Sequence, residues 1–358
     1  MVGMERILAG LEATLRQGGN HRDLRQQLLH SLADHMGFDG GCVATLDPVT
    51  AMWTDCEVFE ARRDPHFEAR LFEAEYGHAD VAPMTELVDR ALPVAVLSRE
   101  TKGDLACSAR YRLAYEPAGI GDELRLALVD GGVPWGSVQL ARSGRAARFQ
   151  APDAEALARL SAPLARLLRN SLLREATGAT EEHSPGVILV EGTSAIEVSA
   201  GALAILGAAQ LERLPAAIHG LVVQAKAGRA AKASCPSPSG GWAVLHASAL
   251  GGRVAIIVEQ ARPLELADVV SRTLGLSARE RQVVALVARG RSTKEIATAL
   301  FISEWTVQDH LKSVFAKSGV STRQELVAAL FFGFWAPHHE QRSTPSVRGH
   351  YLTRRGAG

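Results

Sequence analysis

The sequence is poor in cysteine, and its cysteines are not spaced as pairs. The 358 residues contain four of them, far apart and with no C-x-x-C spacing: Cys42, Cys56, Cys107 and Cys235. This spacing favours reduced thiols in a cytoplasmic protein over a disulfide framework or a zinc site. Oxidation sensing is the alternative for Cys42 or Cys107, but a lone intracellular cysteine is more often a small buried apolar residue.

A long hydrophobic run is also missing. The longest apolar stretch, residues 326–336, is about half as long as the ~20 residues that a membrane-spanning helix needs. The first turns carry Glu5, Arg6 and Glu12, which argues against a secretory signal peptide. The sequence therefore predicts a soluble, cytoplasmic protein that has no membrane partner.

The sequence lacks the motifs of common enzymes as well. No Gly-Lys dipeptide occurs, so there is no P-loop, and both H-E-x-x-H and G-x-S-x-G are absent. The glycine pairs Gly131-Gly132 and Gly251-Gly252 stand where hairpin turns are needed, which explains them better than a phosphate-binding loop does. We expect no enzymatic activity and no cofactor.

The composition is that of a globular protein with an uneven charge distribution. Hydrophobic residues make up 47% and charged residues 22% of the chain, and the net charge is zero. At this length two or three domains are expected. Residues 276–332 carry eight Lys/Arg against five Asp/Glu, and residues 333–358 carry four against one, so the rest is acidic. A basic end on an acidic body is expected when one segment contacts phosphates.

The first of three sequence blocks covers residues 1–176. Leucines at helical spacing around Leu28 predict a helix, and residues 41–46 predict a strand. The clearest hairpin joins residues 123–129 to residues 133–140 through a glycine turn. This order of helix, strand and hairpin indicates an α+β domain.

A second helical pattern closes this block. It follows Phe149 as one long helix, in which Pro163 predicts a kink. Residues 177–185 are polar and typical of a linker. Asp47 invites a phosphoacceptor interpretation, but no alternating strand-helix pattern surrounds it, and we reject that interpretation. Three tryptophans at strand positions are expected in the core: Trp53, Trp135 and Trp242.

The second block covers residues 186–261. Short apolar runs predict strands at residues 187–190, 242–249 and 254–259. Helical patterns lie between them at residues 199–206 and 215–226. Short strands that flank helices predict a small antiparallel α+β domain of the sensor type.

The third block shows unusually clear helix boundaries. Ser277 and Glu280 have the spacing of a capping box, and Ser292 and Glu295 repeat it. Gly290 is placed to end the first of these helices. Ser303 is a good N-cap for a third helix, and residues 322–325 cap a fourth that runs to about residue 332. Four short capped helices predict a compact all-α bundle.

The third helix of this bundle has one apolar and one polar face. The predicted inward residues recur at helical spacing: Val307, Leu311, Val314 and Phe315. The rotation of ~100° per residue leaves five residues outward, with Gln308 at the edge of their face. These five are Trp305, Asp309, Lys312, Ser313 and Ala316.

Small and polar side chains on this face suit the major groove of DNA. Gln308 suits adenine, Lys312 suits guanine, and Asp309 can accept from the amino group of cytosine. Hydroxyls, cations and free backbone N–H groups around the helix are candidates for phosphate contacts. These candidates are Thr293, Lys294, Ser303, Thr306, Lys317 and Arg323.

Residues 276–332 resemble the LuxR-type helix-turn-helix. The chain shows the leading L-[ST]-x-R-E, then G-x-[ST]-x-K-E-I-A, I-S-x-x-T-V-x-x-H and K-x-G-V-x-[ST]-R-x-E-L. The resemblance implies that the third helix recognises DNA, with base contacts from Gln308, Asp309 and Lys312, and that the fourth helix often contributes to dimerisation. Many relatives carry lysine at the position of Gln308, so no base preference is carried over.

The two N-terminal blocks resemble sensory domains. The pieces MGFDGG, TLDPVT, GDELRLAL and WGSVQLAR resemble a GAF domain, and residues 186–207 resemble a PAS-like domain in their order of elements. The expected fold is therefore multidomain α+β, with GAF-like and then PAS-like antiparallel sheets with helices, followed by an all-α four-helix LuxR-type helix-turn-helix. Its boundaries are residues 1–176, 186–262 and 266–335, with a disordered basic tail at 336–358.

The sequence predicts a sequence-specific regulator of transcription that binds double-stranded DNA as a homodimer. The first two domains are expected to sense a signal, such as a small-molecule effector, or to hold the dimer, and RNA polymerase is a candidate partner. The alternative is a protein-interaction scaffold or anti-activator that keeps the helical module without DNA affinity. Asp309 supports that alternative, because a carboxylate on this face repels phosphate.

Overall fold

The computed structural model describes most of the chain as two compact units. Described are residues 2–59, 66–144, 148–176, 183–207, 214–229, 231–238, 241–261, 276–318, 320–326, 344–345 and 351–352. The first unit contains Met1–Glu175 and Glu182–Gln260, and the second contains Ala176–Glu181 and Ala261–Gly358. Among the described residues, no helix has the length and apolar character needed to cross a membrane.

An antiparallel sheet of order β2-β1-β5-β4-β3 organises the first part of the first unit. The strands are β1 (Gly40–Leu46), β2 (Trp53–Phe59), β3 (Val94–Val96), β4 (Ile120–Asp130) and β5 (Val133–Ser143). The helices are α1 (Val2–Arg16), α2 (His21–Met36), α3 (Phe67–Gly77), α4 (Met84–Asp89), α5 (Leu97–Glu100), α6 (Ala151–Ala158) and α7 (Ser161–Ala176), with a 3₁₀ turn at Leu105–Cys107 and a π turn at Tyr111–Tyr115.

A second antiparallel sheet follows, with the order β7-β6-β10-β9-β8. Its elements are β6 (Gly186–Glu191), β7 (Ser194–Val198), α8 (Ala200–Ile205), α9 (Ala216–Lys226), β8 (Ala231–Pro236), β9 (Trp242–Leu250) and β10 (Arg253–Gln260). One face of the sheet packs against α8 and α9 around buried Ile188, Leu221 and Ile256. Two antiparallel sheets with helices are the α+β arrangement that the sequence predicts.

The second unit is helical. It contains α10 (Ala278–Ala288), α11 (Thr293–Leu300) and α12 (Glu304–Ser318), with two-residue strands β11 (Thr344–Pro345) and β12 (Tyr351–Leu352). Helical residues 323–326 begin the predicted fourth helix. Its continuation to residue 332, and most of the predicted tail at 336–358, lie outside the described residues.

The predicted hairpin is confirmed. β4 and β5 pair along their length, and Gly131 and Gly132 make the turn with φ of 59° and 76°. Positive φ at both positions is the conformation of a two-residue hairpin turn, which glycine adopts without steric cost. The predicted core positions of Trp53, Trp135 and Trp242 are also confirmed, since all three are buried.

The single long helix predicted after Phe149 is wrong. The structure has two helices, α6 and α7, with a break at residues 159–160. Pro163 lies in the first turn of α7 and not at a kink inside a helix. Because the first turn has free N–H groups in any case, proline is tolerated there, and the chain breaks before it.

Asp47 joins the two sheets of the first unit. The side chain is buried, and its Oδ1 accepts from the backbone N–H of Val49 at 2.7 Å and of Thr50 at 3.3 Å. Its Oδ2 accepts from the N–H of Ser234 in β8 at 2.7 Å. Burial raises the pKa of Asp47, and these three hydrogen bonds offset part of that rise. A structural role therefore explains the residue.

The packing around Asp47 brings the two sheets into one unit. Helix α9 packs against α3 and β2, and Met52 belongs to the hydrophobic core of the second sheet. A Cβ on Gly220 of α9 would approach Met52 Cε to 2.8 Å and Tyr76 Cε2 to 2.9 Å. Glycine at this position permits the close approach.

We predict that Asp47→Ala lowers the free energy of unfolding of the first unit by about 1–3 kcal/mol, because it leaves the amide of Ser234 without its acceptor. Urea unfolding followed by far-UV circular dichroism measures the change. Asp39→Ala is the matched control, since the Asp39 carboxylate also accepts from a backbone amide, that of Ser143, but is exposed. Equal effects of the two variants would contradict a special role for Asp47.

Candidate nucleic-acid interface

Both predicted capping boxes are present in the helical unit. At α10, Ser277 Oγ accepts from the N–H of Glu280 at 3.2 Å, and Glu280 Oε2 accepts from the N–H of Ser277 at 2.6 Å. At α11, Ser292 and Glu295 exchange the same two bonds at 3.3 and 2.7 Å. Each box satisfies two backbone donors that a helix start otherwise leaves free, which defines where the helix begins.

A tight turn connects α11 to α12. Phe301 adopts φ of +54° at the end of α11, and the N–H of Ile302 donates to the carbonyl of Ala297 at 3.1 Å. Ser303 Oγ then accepts from the N–H of Thr306 at 3.0 Å and lies 2.8 Å from Thr306 Oγ1. Three residues between two helices hold the start of α12 at a defined position against α11.

The inward face of α12 is largely as predicted. Val307, Leu311 and Val314 are buried, whereas Phe315 is only half-buried. They pack in a core that α10 and α11 complete with Val283, Val284, Val287, Ile296 and Ala297, together with Leu326.

On the opposite face the candidate base-reading side chains are accessible. Gln308 is exposed, the side chain of Lys312 is 73% exposed, and that of Asp309 is 40% exposed. Lys312 Nζ lies 3.3 Å from Asp309 Oδ1. The two charges of this ion pair offset each other. A nucleic acid that contacts either side chain must therefore replace the contact between Lys312 and Asp309.

The prediction that Ser313 points outward is wrong. The residue is half-buried, and its Oγ donates to Glu280 Oε1 at 2.6 Å. Helical periodicity alone places Ser313 on the outward face, but the buried carboxylate of Glu280 on α10 accepts from its hydroxyl and holds it inward.

The candidate phosphate contacts surround α12 in different environments. Lys294 and Ser303 are exposed, while Thr293 and Thr306 are half-buried. The guanidinium of Arg323 donates to the carbonyl of Arg291. Lys317 Nζ is held by Glu280, at 2.9 Å from Oε1 and 2.7 Å from Oε2.

Glu280 is the residue of this unit that sequence reasoning understated. Beyond its capping box it joins α10 to α12, through Ser313 and Lys317, with a side chain only 5% exposed. Burial raises its pKa, but hydrogen bonds from Lys317, Ser313 and Ser277 outweigh burial and lower the pKa from 4.5 to about 2. The two partners on α12 lie more than 30 residues away in sequence, so local spacing carries no signal of this cluster.

Buried ion pairs also lie beside the first sheet. Arg110 Nη1 lies 2.8 Å from Asp80 Oδ2, and Arg125 Nη2 lies 2.8 Å from Glu75 Oε2, all four side chains being almost fully buried. Although burial raises the pKa of Glu75, the two guanidinium groups hold it below its usual range. Within the described part of the chain, no three His, Cys, Asp or Glu residues form a group that could hold a metal ion.

The cysteines divide by environment. Burial raises the pKa of the Cys42 thiol, which donates to Gln139 Oε1 at 2.8 Å, and raises that of Cys235 to about 12. A raised pKa keeps a thiol protonated and unreactive. Cys107 is exposed.

The helical unit matches a known family. The model of the bacterial regulatory proteins of the luxR family covers residues 274–330, which include α10, α11 and α12. The spore germination protein GerE of Bacillus subtilis is 46% identical over 55 residues, which are 15% of this chain and 74% of that protein. The chain belongs to the luxR family of bacterial regulatory proteins. Its α11 and α12 are the two helices of a LuxR-type helix-turn-helix.

Two transcriptional regulators match stretches of similar length. An HTH-type transcriptional regulator, so named, of Mycobacterium bovis is 52% identical over 52 residues, which are 14% of this chain but only 6% of that protein. The monoamine regulon transcriptional regulator of Klebsiella aerogenes is 49% identical over 53 residues, 15% of this chain and 23% of that protein. In each of these relatives the match covers about one seventh of this chain and less than a quarter of the relative.

Two solved structures show weak similarity to this chain. Escherichia coli SdiA is 13% identical with a TM-score of 0.29, over 86% of this chain and 91% of that one. Vibrio cholerae VqmA, solved without target DNA, is 18% identical with a TM-score of 0.21, over 42% and 84%. Scores this low carry no information about the two sheets of the first unit.

We predict that Glu280→Gln lowers the free energy of unfolding of the helix-turn-helix by about 1–2 kcal/mol at neutral pH. The reason is that the charge-assisted hydrogen bond from Lys317 is lost. The folded-state pKa lies below the unfolded one, so this stabilisation is complete above about pH 4.5 and disappears as the pH falls towards 2. Hydrogen–deuterium exchange of the α10 and α12 peptides in the full chain, at pH 7 and pH 3.5, measures the difference between variant and wild type.

The matched control is Glu295→Gln, which changes the same position of the exposed second capping box. It is expected to leave exchange in α10 and α12 unchanged. If Glu280→Gln shows no greater effect at pH 7 than at pH 3.5, the carboxylate does not stabilise this unit.

Proposed function

We propose that this protein is a sequence-specific regulator of transcription that binds double-stranded DNA through α12. The observation that carries the proposal is the exposed polar face of α12, which lies inside the segment matched by the luxR family. A second helix held by a three-residue turn is the arrangement that presents a recognition helix to the major groove.

Three side chains on that face are proposed to read bases. Gln308 suits the N6 and N7 edge of adenine, and Lys312 suits O6 and N7 of guanine. Asp309 can accept a hydrogen bond from the amino group of cytosine. Cytosine pairs with guanine, so Asp309 and Lys312 both suit a G·C base pair. Binding would therefore exchange the internal Asp309–Lys312 ion pair for two contacts with DNA.

The residues around α12 are proposed to contact phosphates. Lys294 at the start of α11 and Ser303 at the start of α12 are exposed, and helix starts present free N–H groups to anions. Thr293, Thr306 and Arg323 complete the proposed set. Lys317 also belongs to it, but its ammonium group already neutralises Glu280, so we expect it to contribute less than Lys294.

The rest of the chain is proposed to control this interface. We assign residues 1–176 to a GAF-like domain, 186–262 to a PAS-like domain, 266–335 to the helix-turn-helix, and 336–358 to a basic tail. The antiparallel sheets of the first unit support the first two assignments. A homodimer on a two-fold symmetric site follows from the usual pairing of half-sites. RNA polymerase is the proposed further partner.

A small-molecule effector is proposed to act through the first unit. Arg25, which is fully buried, and six leucines of α1, α2 and α7 line a small cleft of about 10 Å³ there. This is the volume of about one water molecule, so an effector that binds here must enlarge the cleft. The Arg25 Nη2 binds Asp55, whereas its Nε and Nη1 have no hydrogen-bond partner in the described protein. An effector can shift DNA affinity only by binding two states of the protein unequally.

The second candidate function is a protein-interaction scaffold or anti-activator. The observation that favours it is the Asp309–Lys312 pair, which removes net charge from the centre of the face. A surface that is neutral at its centre loses part of the attraction to DNA that luxR-type helices need.

We predict that the purified full-length protein enriches an inverted repeat from random double-stranded DNA, and that its affinity for the best site falls steeply with salt. Each phosphate contact adds about 0.9 to the slope of log affinity against log salt. If no sequence is enriched, the interaction role is favoured. If a fragment of residues 264–337 enriches a site and the full chain does not, the first unit holds the helix-turn-helix inactive.

We predict that Lys312→Ala weakens binding to the best site by about 1–3 kcal/mol and relaxes base preference at one position. The matched control is Lys294→Ala, which should weaken all sequences alike and reduce the salt slope by about one unit. Fluorescence anisotropy on the selected duplex and its single-base variants, at several salt concentrations, measures both. An equal loss on all sequences in Lys312→Ala would make Lys312 a phosphate contact.

A further inference from the structure

Trp305 is an unusual side chain for the surface of the helical unit. It is the second residue of α12, and it is 71% exposed to solvent. Tryptophan carries more apolar surface than any other residue, and burying that surface against a partner is favourable. If α12 enters the groove of DNA as proposed, we therefore expect the exposed indole ring of Trp305 to pack against an apolar group of the DNA.

The helical geometry places Trp305 on the base-reading face. Asp309 and Lys312 follow it by four and seven residues, so the three form one stripe at 3.6 residues per turn. Val307, two residues after Trp305, is fully buried and marks the opposite side of the helix. The indole thus extends the face formed by Asp309 and Lys312 towards the start of α12.

The start of α12 is also the part of a recognition helix that contacts base edges. Ser303 caps it, and the side-chain contact of Ser303 with Thr306 holds its first turn. From Trp305 to Lys312 the helix rises about 10 Å, which corresponds to about three base-pair steps of 3.4 Å. Trp305 is therefore placed to reach a base pair beside those assigned to Asp309 and Lys312.

We propose that Trp305 reads a thymine by packing its indole ring against the 5-methyl group in the major groove. This inference rests on the proposed function and adds a base-specific contact to it. The thymine methyl is the apolar group that the four bases present in this groove, and apolar side chains are its partners. A phosphate is a poor partner for the ring face, because the face of an aromatic ring is itself negative.

The test uses the duplex that the full-length protein selects, with each thymine replaced in turn by deoxyuridine, which lacks only the methyl group. For the wild type we expect about a fourfold loss of affinity at one thymine of each half-site, the loss that corresponds to one buried methyl group. Trp305→Ala should bind the thymine and uracil duplexes equally, and Trp305→Phe should retain discrimination. All titrations are made at one salt concentration.

Phe301→Ala is the matched control, since Phe301 is an exposed aromatic of the same unit that precedes α12. It should keep the wild-type ratio of thymine to uracil affinity. Equal binding of all uracil duplexes by the wild type overturns the contact, as does a Trp305→Ala protein that is weaker but still discriminates. A selection that enriches no duplex overturns the proposed function itself, and the contact with it.

Discussion

The helical unit depends on the hydrogen bonds that the carboxylate of Glu280 accepts. It begins α10 through the capping box with Ser277 and holds α12 through Ser313 and Lys317. An acidic group this deeply buried is costly to desolvate unless its acceptor sites are filled, and here backbone, hydroxyl and ammonium donors fill them. The negative charge of Glu280 thereby stabilises one orientation of α12 relative to α10.

This arrangement has a consequence for the proposed interface. Lys317 is a basic residue of α12, the helix proposed to face DNA, yet its ammonium group is paired with Glu280. The positive charge of this unit that is available to DNA is therefore smaller than the residue count indicates. In the proposed complex, attraction to phosphates would therefore depend more on Lys294 and on the free N–H groups at the starts of α11 and α12.

The first unit follows the same principle in another form. Asp47 accepts from backbone amides on both sides of the boundary between the sheets, and Arg110 and Arg125 pair with carboxylates in the interior. Buried groups that are paired in this way favour one arrangement of strands and helices, because other arrangements would leave them without partners. Within the first unit, α9 packs against α3 and β2, so the two sheets share one unit although the sequence divides into two blocks.

The sequence predicted the features that depend on residues close together along the chain. The capping boxes at Ser277 and Ser292, the glycine hairpin at Gly131 and the buried stripe of α12 all come from residues within a few positions of each other. Strand β8 was missed because its alternating side chains are small, and strand β7 because it is short and largely exposed. The break before α7 was misplaced because proline is compatible with a first helical turn.

What the sequence by itself determined is the family of the helical unit and, with the exception of Ser313, which residues lie on the outward face of α12. Both follow from motif spacing and helical periodicity. Only the tertiary structure decided that Ser313 turns inward, that Lys317 neutralises Glu280 and that Asp309 pairs with Lys312. The reason is physical: the state of a charge depends on the groups around it in space, and folding brings partners together that the sequence keeps far apart.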